Sequence, residues 1–219
     1  MSSNSFRQPG PHLRTVPAPS AVEPVRLPDW RRQLPELKGR HVTLRELRLA
    51  DAQALLAMLT TDEITRFISP PPTTVEGFER FIQWTIRERE AGRYICYAVV
   101  PDNLNAPAGI FQVRELETGF GVAEWGFALA SAFWGSGVFL DAARLVLTFT
   151  FEQIGAQRVE ARAATHNGRG NGALRKLGAI QEGVLRRSFL RRGEYLDQNL
   201  WAILADEWRV RSLGDRLVH

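Results

Sequence analysis

Two glycines, Gly135 and Gly137, stand directly ahead of an apolar run that reaches Gly155. Within that run Asp141, Arg144, Thr148 and Glu152 fall at i, i+3, i+7 and i+11, one polar stripe on an otherwise apolar helix. The first turn of such a helix leaves several backbone N–H groups without partners, all aimed at one spot. Together with the helix dipole they form an anion site, and the missing Cβ atoms let a ligand approach the backbone. Gly135-Ser136-Gly137 can therefore hold a diphosphate without any basic side chain. Read alone, the same pair is also the turn ahead of an ordinary core helix. No Gly-Lys-Ser/Thr follows, which excludes a Walker A loop, and Leu140 stands where a dinucleotide fingerprint needs its third glycine.

The elements that would position this loop are readable from periodicity. Val42, Leu44 and Glu46 alternate with Thr43, Arg45 and Leu47, a strand, and 48–59 reads as a helix with Leu55, Leu56 and Leu59 on one side. Prolines 70–72 interrupt the chain, and Thr73 followed by Glu76 predicts a capping box for a helix to about Glu90. Its buried stripe is Phe78, Phe81, Ile82 and Ile86. Strands are predicted over 94–100, 107–116 and 122–130, then over 158–164 after the glycine-led helix. The segment "HNGRGNGALRKLGA" predicts a short helix ending at Gly178, and two strands at 179–190 and 194–204 flank the turn "RRGE". The result is a mixed α/β domain.

Composition bounds the function. The chain has 219 residues, 44% hydrophobic and 24% charged, enough for one domain with extra segments. A single cysteine, Cys96, excludes an internal disulfide and a Cys-rich metal site and suits a reducing compartment. No secretory signal or membrane-length apolar run is read, so the expectation is a cytoplasmic protein with no membrane partner. Lys plus Arg exceed Asp plus Glu by four, which permits an anionic ligand without pointing to nucleic acid. Residues 1–36, rich in Pro, Ser and Arg, are expected to be a flexible arm, 37–208 the domain and 209–219 a tail.

The motifs "WGSG" and "HNGRGNGALRKLGA", followed by the closing strand pair, resemble the GNAT acyltransferases, in particular their RimJ/RimL-like branch. The resemblance covers roughly 37–208. It implies the GNAT fold: a mixed, mostly antiparallel central sheet with flanking helices and splayed central strands. It also implies acyl transfer, most simply of acetyl from acetyl-CoA as co-substrate, to an amine in a ternary complex, with no metal. The acceptor is left open between a small molecule and a protein N-terminus, and a homodimer is compatible. A non-catalytic acyl-CoA-binding protein on the same fold is the alternative.

Carried over residue by residue, the family's diphosphate loop maps onto Ala132 to Gly137, with Ala132 replacing a polar first residue. Amides from Trp134, Gly135, Ser136 and Gly137 through Val138 and Phe139 would hold the diphosphate. Phe127, Ala128 and Leu129 would offer backbone groups to the pantetheine arm, with Trp125 and Phe127 equally readable as core. Asn167 matches the family's pantetheine-side Asn and is also a helix N-cap candidate. Relatives place a Ser and a general-acid Tyr where this chain has Gly170 and Leu174, so Arg169 and Asn171 become candidate substitutes for a polar contact.

Acyl transfer to an amine needs a neutral nucleophile, a polarised thioester carbonyl and a proton for the leaving thiolate. Glu124, on the strand bordering the expected cleft, is the candidate base, and pairing with an Arg is its bland reading. The N–H of Leu129 is a candidate to polarise the carbonyl. Tyr195 is the candidate acid, with Ser136, Ser188, His41 and His166 behind it, and Asp197 resembles an orienting acid of the family. Arg186, Arg187, Arg191 and Arg192 form a basic hairpin, either a solvated face or an attractor of an acidic acceptor.

Overall fold

Alternating apolar positions and β-branched or aromatic residues set the strands, and apolar residues at three- and four-residue spacing set the helices. The computed structural model describes residues 29–217. The first part of the chain runs β1 (Leu37–Lys38), β2 (Val42–Glu46), α1 (Ala52–Leu59), α2 (Asp62–Thr65) and α3 (Val75–Glu90). Three strands follow, β3 (Tyr94–Pro101), β4 (Gly109–Glu115) and β5 (Val122–Leu129). Then come α4 (Val138–Phe149), β6 (Arg158–Ala164), α5 (Gly168–Leu177), β7 (Ile180–Arg191), β8 (Glu194–Leu204) and α6 (Ala205–Leu217).

The strands form one sheet in the order β1-β2-β3-β4-β5-β6-β8-β7. Every neighbouring pair is antiparallel except β5 and β6. Those two run parallel for only three residue pairs, Val122↔Arg158, Ala123↔Val159 and Glu124↔Glu160. Beyond Glu124 they part: Trp125 to Leu129 pair with β4 alone, and Ala161 to Ala164 with β8 alone. The sheet therefore splits into a wedge at its centre, as the resemblance implied.

Each face of the sheet carries its own core. On one, Leu44, Tyr97, Phe111 and Trp125 pack beneath Ala142, Val146 and Leu147 of α4. On the other, Tyr94, Cys96 and Ala98 meet Leu55 and Leu59 of α1 and Phe78 and Ile82 of α3. Burying each such large side chain contributes about 1.5–3 kcal/mol. β3 is buried on both faces, which explains its unbroken apolar sequence.

Three details differ from the sequence reading. The α3 cap is Thr74, one residue later than predicted; its hydroxyl accepts from Gly77 N at 3.1 Å. The chain packs earlier than Leu37: Trp30 and Leu34 lie in the core, with the Trp30 ring edge-on to Phe120 at 5.7 Å. The boundary expected after residue 208 falls inside α6, whose Trp208 is buried against Phe151. Most of the expected arm, residues 1–28, lies outside the described residues.

Candidate active site

The glycine loop opens the site. Ala130 follows β5, a 3-10 turn covers Ser131–Phe133, and α4 begins at Val138. Gly135 and Gly137 have φ of 77° and 90°, the left-handed region that costs any L side chain energy. A Cβ at either glycine would meet nothing within 4 Å, so both face open space. The amides of Gly135, Gly137, Phe139 and Leu140 donate to no backbone carbonyl among the described residues. These are the unpartnered donors of a helix start, and the concavity they rim fits an anionic diphosphate. Ser136 is spent inside the loop: its hydroxyl donates to Phe133 O at 2.7 Å and accepts from Val138 N at 3.4 Å. Val138 is buried in the core beneath the loop.

From this loop a cleft of about 840 Å³ runs into the wedge between β5 and β6. Phe127, Ala128 and Leu129 line one wall, Asn167 to Gly170 the other, with Trp134, Gly135, Gly137 and Phe139 at the rim. Phe127 stacks on Phe111 at 5.6 Å and meets Phe139 edge-on at 4.6 Å, so it is core on one side and cleft wall on the other. The Trp134 indole donates to Leu129 O at 2.9 Å, and the Arg169 guanidinium lies 3.9 Å from the Trp134 ring centre. That stack joins the glycine loop to the start of α5 across the cleft, and with Arg169 exposed it is a cation–π contact of about 0.5–1 kcal/mol.

Asn167 caps α5, its Oδ1 accepting from Gly170 N at 2.9 Å. A Cβ on residue 170 would stand 2.6 Å from the Asn167 amide, so glycine leaves room for the cap to fold over. Asn171 does not line the cleft. Its Nδ2 donates to Ala164 O at 2.9 Å and Asn167 O at 2.8 Å, and its Oδ1 accepts from Asn199 Nδ2 and Trp201 Nε1, both at 2.9 Å. It fastens α5 to β6 and β8.

Neither catalytic candidate is brought into the cleft. Glu124 sits at the crotch of the wedge, its carboxylate 2.7 Å from Arg114 and 3.9 Å from Arg162. Its carboxylate is engaged by arginines from β4 and β6 and does not face the cleft lining. Tyr195 is 59% exposed at the end of the β7–β8 hairpin, opposite Leu190. Ser188 bonds Leu185 O and Gln198 Oε1, and Asp197 accepts from Arg187 N at 2.7 Å; both hold the irregular part of β7. His41 N donates to Asp141 Oδ2 at 2.8 Å, which ties the start of α4 to the β1–β2 turn.

The cleft has a third wall. Glu63, Arg66, Phe67 and Ile68, on and after α2, line its far mouth, and Glu63 is the only carboxylate among the lining residues. The basic hairpin closes on this wall: Arg191 Nε donates to Thr65 O at 2.7 Å and Arg192 pairs with Asp62 at 2.8 Å. The Asp62 pair is well exposed, with side-chain exposures of 59% and 94%, and contributes well under about 1 kcal/mol. In the core beneath α1 and α3, burial raises the Tyr94 phenol and the Cys96 thiol, keeping both neutral.

Comparison with known proteins places this architecture. Residues 41–180 match the acetyltransferase (GNAT) domain, and the chain belongs to that family. It is similar to the uncharacterized N-acetyltransferase YoaA of Bacillus subtilis (strain 168), 26% identical over 184 residues, which cover 78% of this chain and 97% of that protein. A T. thermophilus structure assigned to the acetyltransferases is 31% identical, with a TM-score of 0.68 over 83% of this chain and 96% of that one. Mycobacterium smegmatis RimJ in complex with CoA-disulfide shares the fold at 23% identity, TM-score 0.70, over 76% and 83% of the two chains. Acetyl-CoA-dependent acyl transfer is the activity this membership carries, and the non-catalytic alternative is not favoured. Among the described residues no helix is long and apolar enough to cross a membrane.

Proposed function

We propose that the cleft holds acetyl-CoA with its diphosphate on the amides of Gly135, Gly137, Phe139 and Leu140, those of Ser136 and Val138 being bonded within the loop, and its pantetheine arm along β5, for transfer to a primary amine entering past α2. The observation that carries this reading is the parting of β5 from β6 directly above Glu124, with the glycine-led start of α4 at its rim. On the side facing β6, the backbone of Trp125 to Leu129 has no strand partner, so it can pair with amides of an extended ligand as a strand would. The co-substrate supplies the electrophilic thioester carbonyl.

The acceptor wall favours an amine with an apolar neighbour, since Ile64, Phe67 and Ile68 line it together with Glu63 and Arg66. A protonated amine has no lone pair, and Glu63 is the carboxylate placed to anchor the ammonium and accept its proton, directly or through water. Glu124 is the second reading of the base, acting through water from the crotch. No hydroxyl or thiol lines the cleft among the described residues. The leaving thiolate then takes the proton that the amine nitrogen gives up as the C–N bond forms and the C–S bond breaks.

Thiol release, followed while acetyl-CoA and a panel of primary amines are offered, tests the whole reading. With a true acceptor, Glu63→Gln is expected to lower kcat/KM by roughly 10²- to 10⁴-fold, with Glu124→Gln leaving it within a few-fold. The reverse pattern would transfer the role to Glu124, and absence of any saturable acetyl-CoA binding would sink the coenzyme assignment.

A further inference from the structure

Behind the coenzyme cleft lies a second cavity of about 440 Å³, lined by Arg144, Thr148, Lys176, Leu177, Trp208, Arg211 and Ser212. Three helices build it. Arg144 and Thr148 are one turn apart on α4, Trp208, Arg211 and Ser212 lie at i, i+3 and i+4 on α6, and Lys176 lies in the last turn of α5. Three of its lining residues are cations, two carry hydroxyls and none is an acid.

Its donors are held in place. Arg211 lies over Gly178, the left-handed residue ending α5, and a Cβ there would fall on the Arg211 guanidinium. Glycine at 178 thus serves the helix cap and the seat of the arginine together. Trp208 Nε1 donates to Thr148 Oγ1 at 3.2 Å, while the Thr148 hydroxyl keeps its own proton to donate. Neither Lys176 nor Arg211 has a carboxylate partner among the described residues. Lys176 lines both cavities, so the two adjoin.

We propose that this second cavity is a phosphate site, taking a dianionic phosphomonoester on Lys176, Arg211 and the Thr148 and Ser212 hydroxyls. A monoester dianion offers several strong acceptor oxygens to this converging set, where a lone carboxylate would leave donors unused. The coenzyme's own 3′-phosphate and a separate phosphate-bearing ligand have the same chemistry here. Only the first source rests on the coenzyme reading above.

The test is calorimetric titration of the full chain with CoA, with 3′-dephospho-CoA, and with inorganic phosphate in the presence of saturating dephospho-CoA. Wild type, Arg211→Gln and Ser212→Asp are compared; the last sets a carboxylate in the cavity should the first disturb α6. If the phosphate is the coenzyme's, wild type prefers CoA over dephospho-CoA by about tenfold and both variants erase the preference. Equal affinity for the two coenzymes, with inorganic phosphate binding lost in both variants, supports a separate ligand. No preference and no phosphate binding, or either one unchanged in both variants, overturns the site. Should neither coenzyme bind, the coenzyme reading fails, while phosphate titrated alone still reports on this cavity.

Discussion

Replacing Asn171 by Ala isolates the side chain that fixes α5 beside the cleft. Asn171 is 7% exposed and Trp201 3%, so no water stands ready to take over their bonds. The change removes donors to Ala164 O and Asn167 O and the acceptor shared by Asn199 and Trp201. Four hydrogen bonds at about 1 kcal/mol net each, with the Trp201 N–H left buried and unpaired, amount to roughly 3–5 kcal/mol. That is a large fraction of the roughly 5–15 kcal/mol that holds a domain folded. With a urea m-value of about 2–3 kcal/mol/M, the unfolding midpoint should fall by about 1.5 M. Asn171→Asp adds a signature in pH. Burial and two facing carbonyls would raise its folded pKa above the unfolded value near 3.9. Stability is then retained below the unfolded value and lost as pH rises through the folded one, so the deficit against wild type should widen toward neutrality. A midpoint shift worth under about 1 kcal/mol would refute the latch. Lost coenzyme binding with unchanged stability would restore the direct ligand contact expected from sequence.

Two further outcomes follow from the same structure. Gly137→Ala should weaken acetyl-CoA binding by at least about tenfold, because the Cβ enters the anion's approach and strains a φ of 90°; Gly119→Ala, equally strained at φ 88° in a remote turn, should cost similar stability and leave binding intact in the same calorimetric comparison. Cys96 is buried and its thiol pushed well up, so Ellman's reagent should leave it unmodified at a mildly alkaline pH in the native protein and label it fully in urea.

The sequence carried the glycine loop well, because positive φ and an exposed helix start demand glycine wherever they occur. It carried the strands too, since β2 through β6 read directly from alternation or from an apolar run. It could not give Glu124 its partners: Arg114 lies across on β4 and Arg162 past the end of the β5–β6 pairing, and only strand register brings them together. For the same reason Asn171 looked like a ligand contact, its four bonds running to β6, β8 and its own cap. The α2 wall was invisible because a single helical turn has no period. Trp30 and Leu34 sit in a segment whose prolines and arginines mask two buried side chains. α6 is mostly polar along 205–212, and Trp208 alone does not make a stripe.

The short contact between β5 and β6 has a mechanical consequence. In the plane of the sheet, β1 to β5 form one leaf and β6 to β8 the other, joined along a spine of three residue pairs. Far from the spine, the hairpin arginines clip the second leaf to α2, which rides on the first. One core nevertheless runs across both leaves, from Leu44 and Phe111 to Val159 and Ile203, so packing holds the wedge open. The groove along β5 is therefore a standing slot: an extended ligand meets backbone already spaced for it, without first prising a strand pair apart.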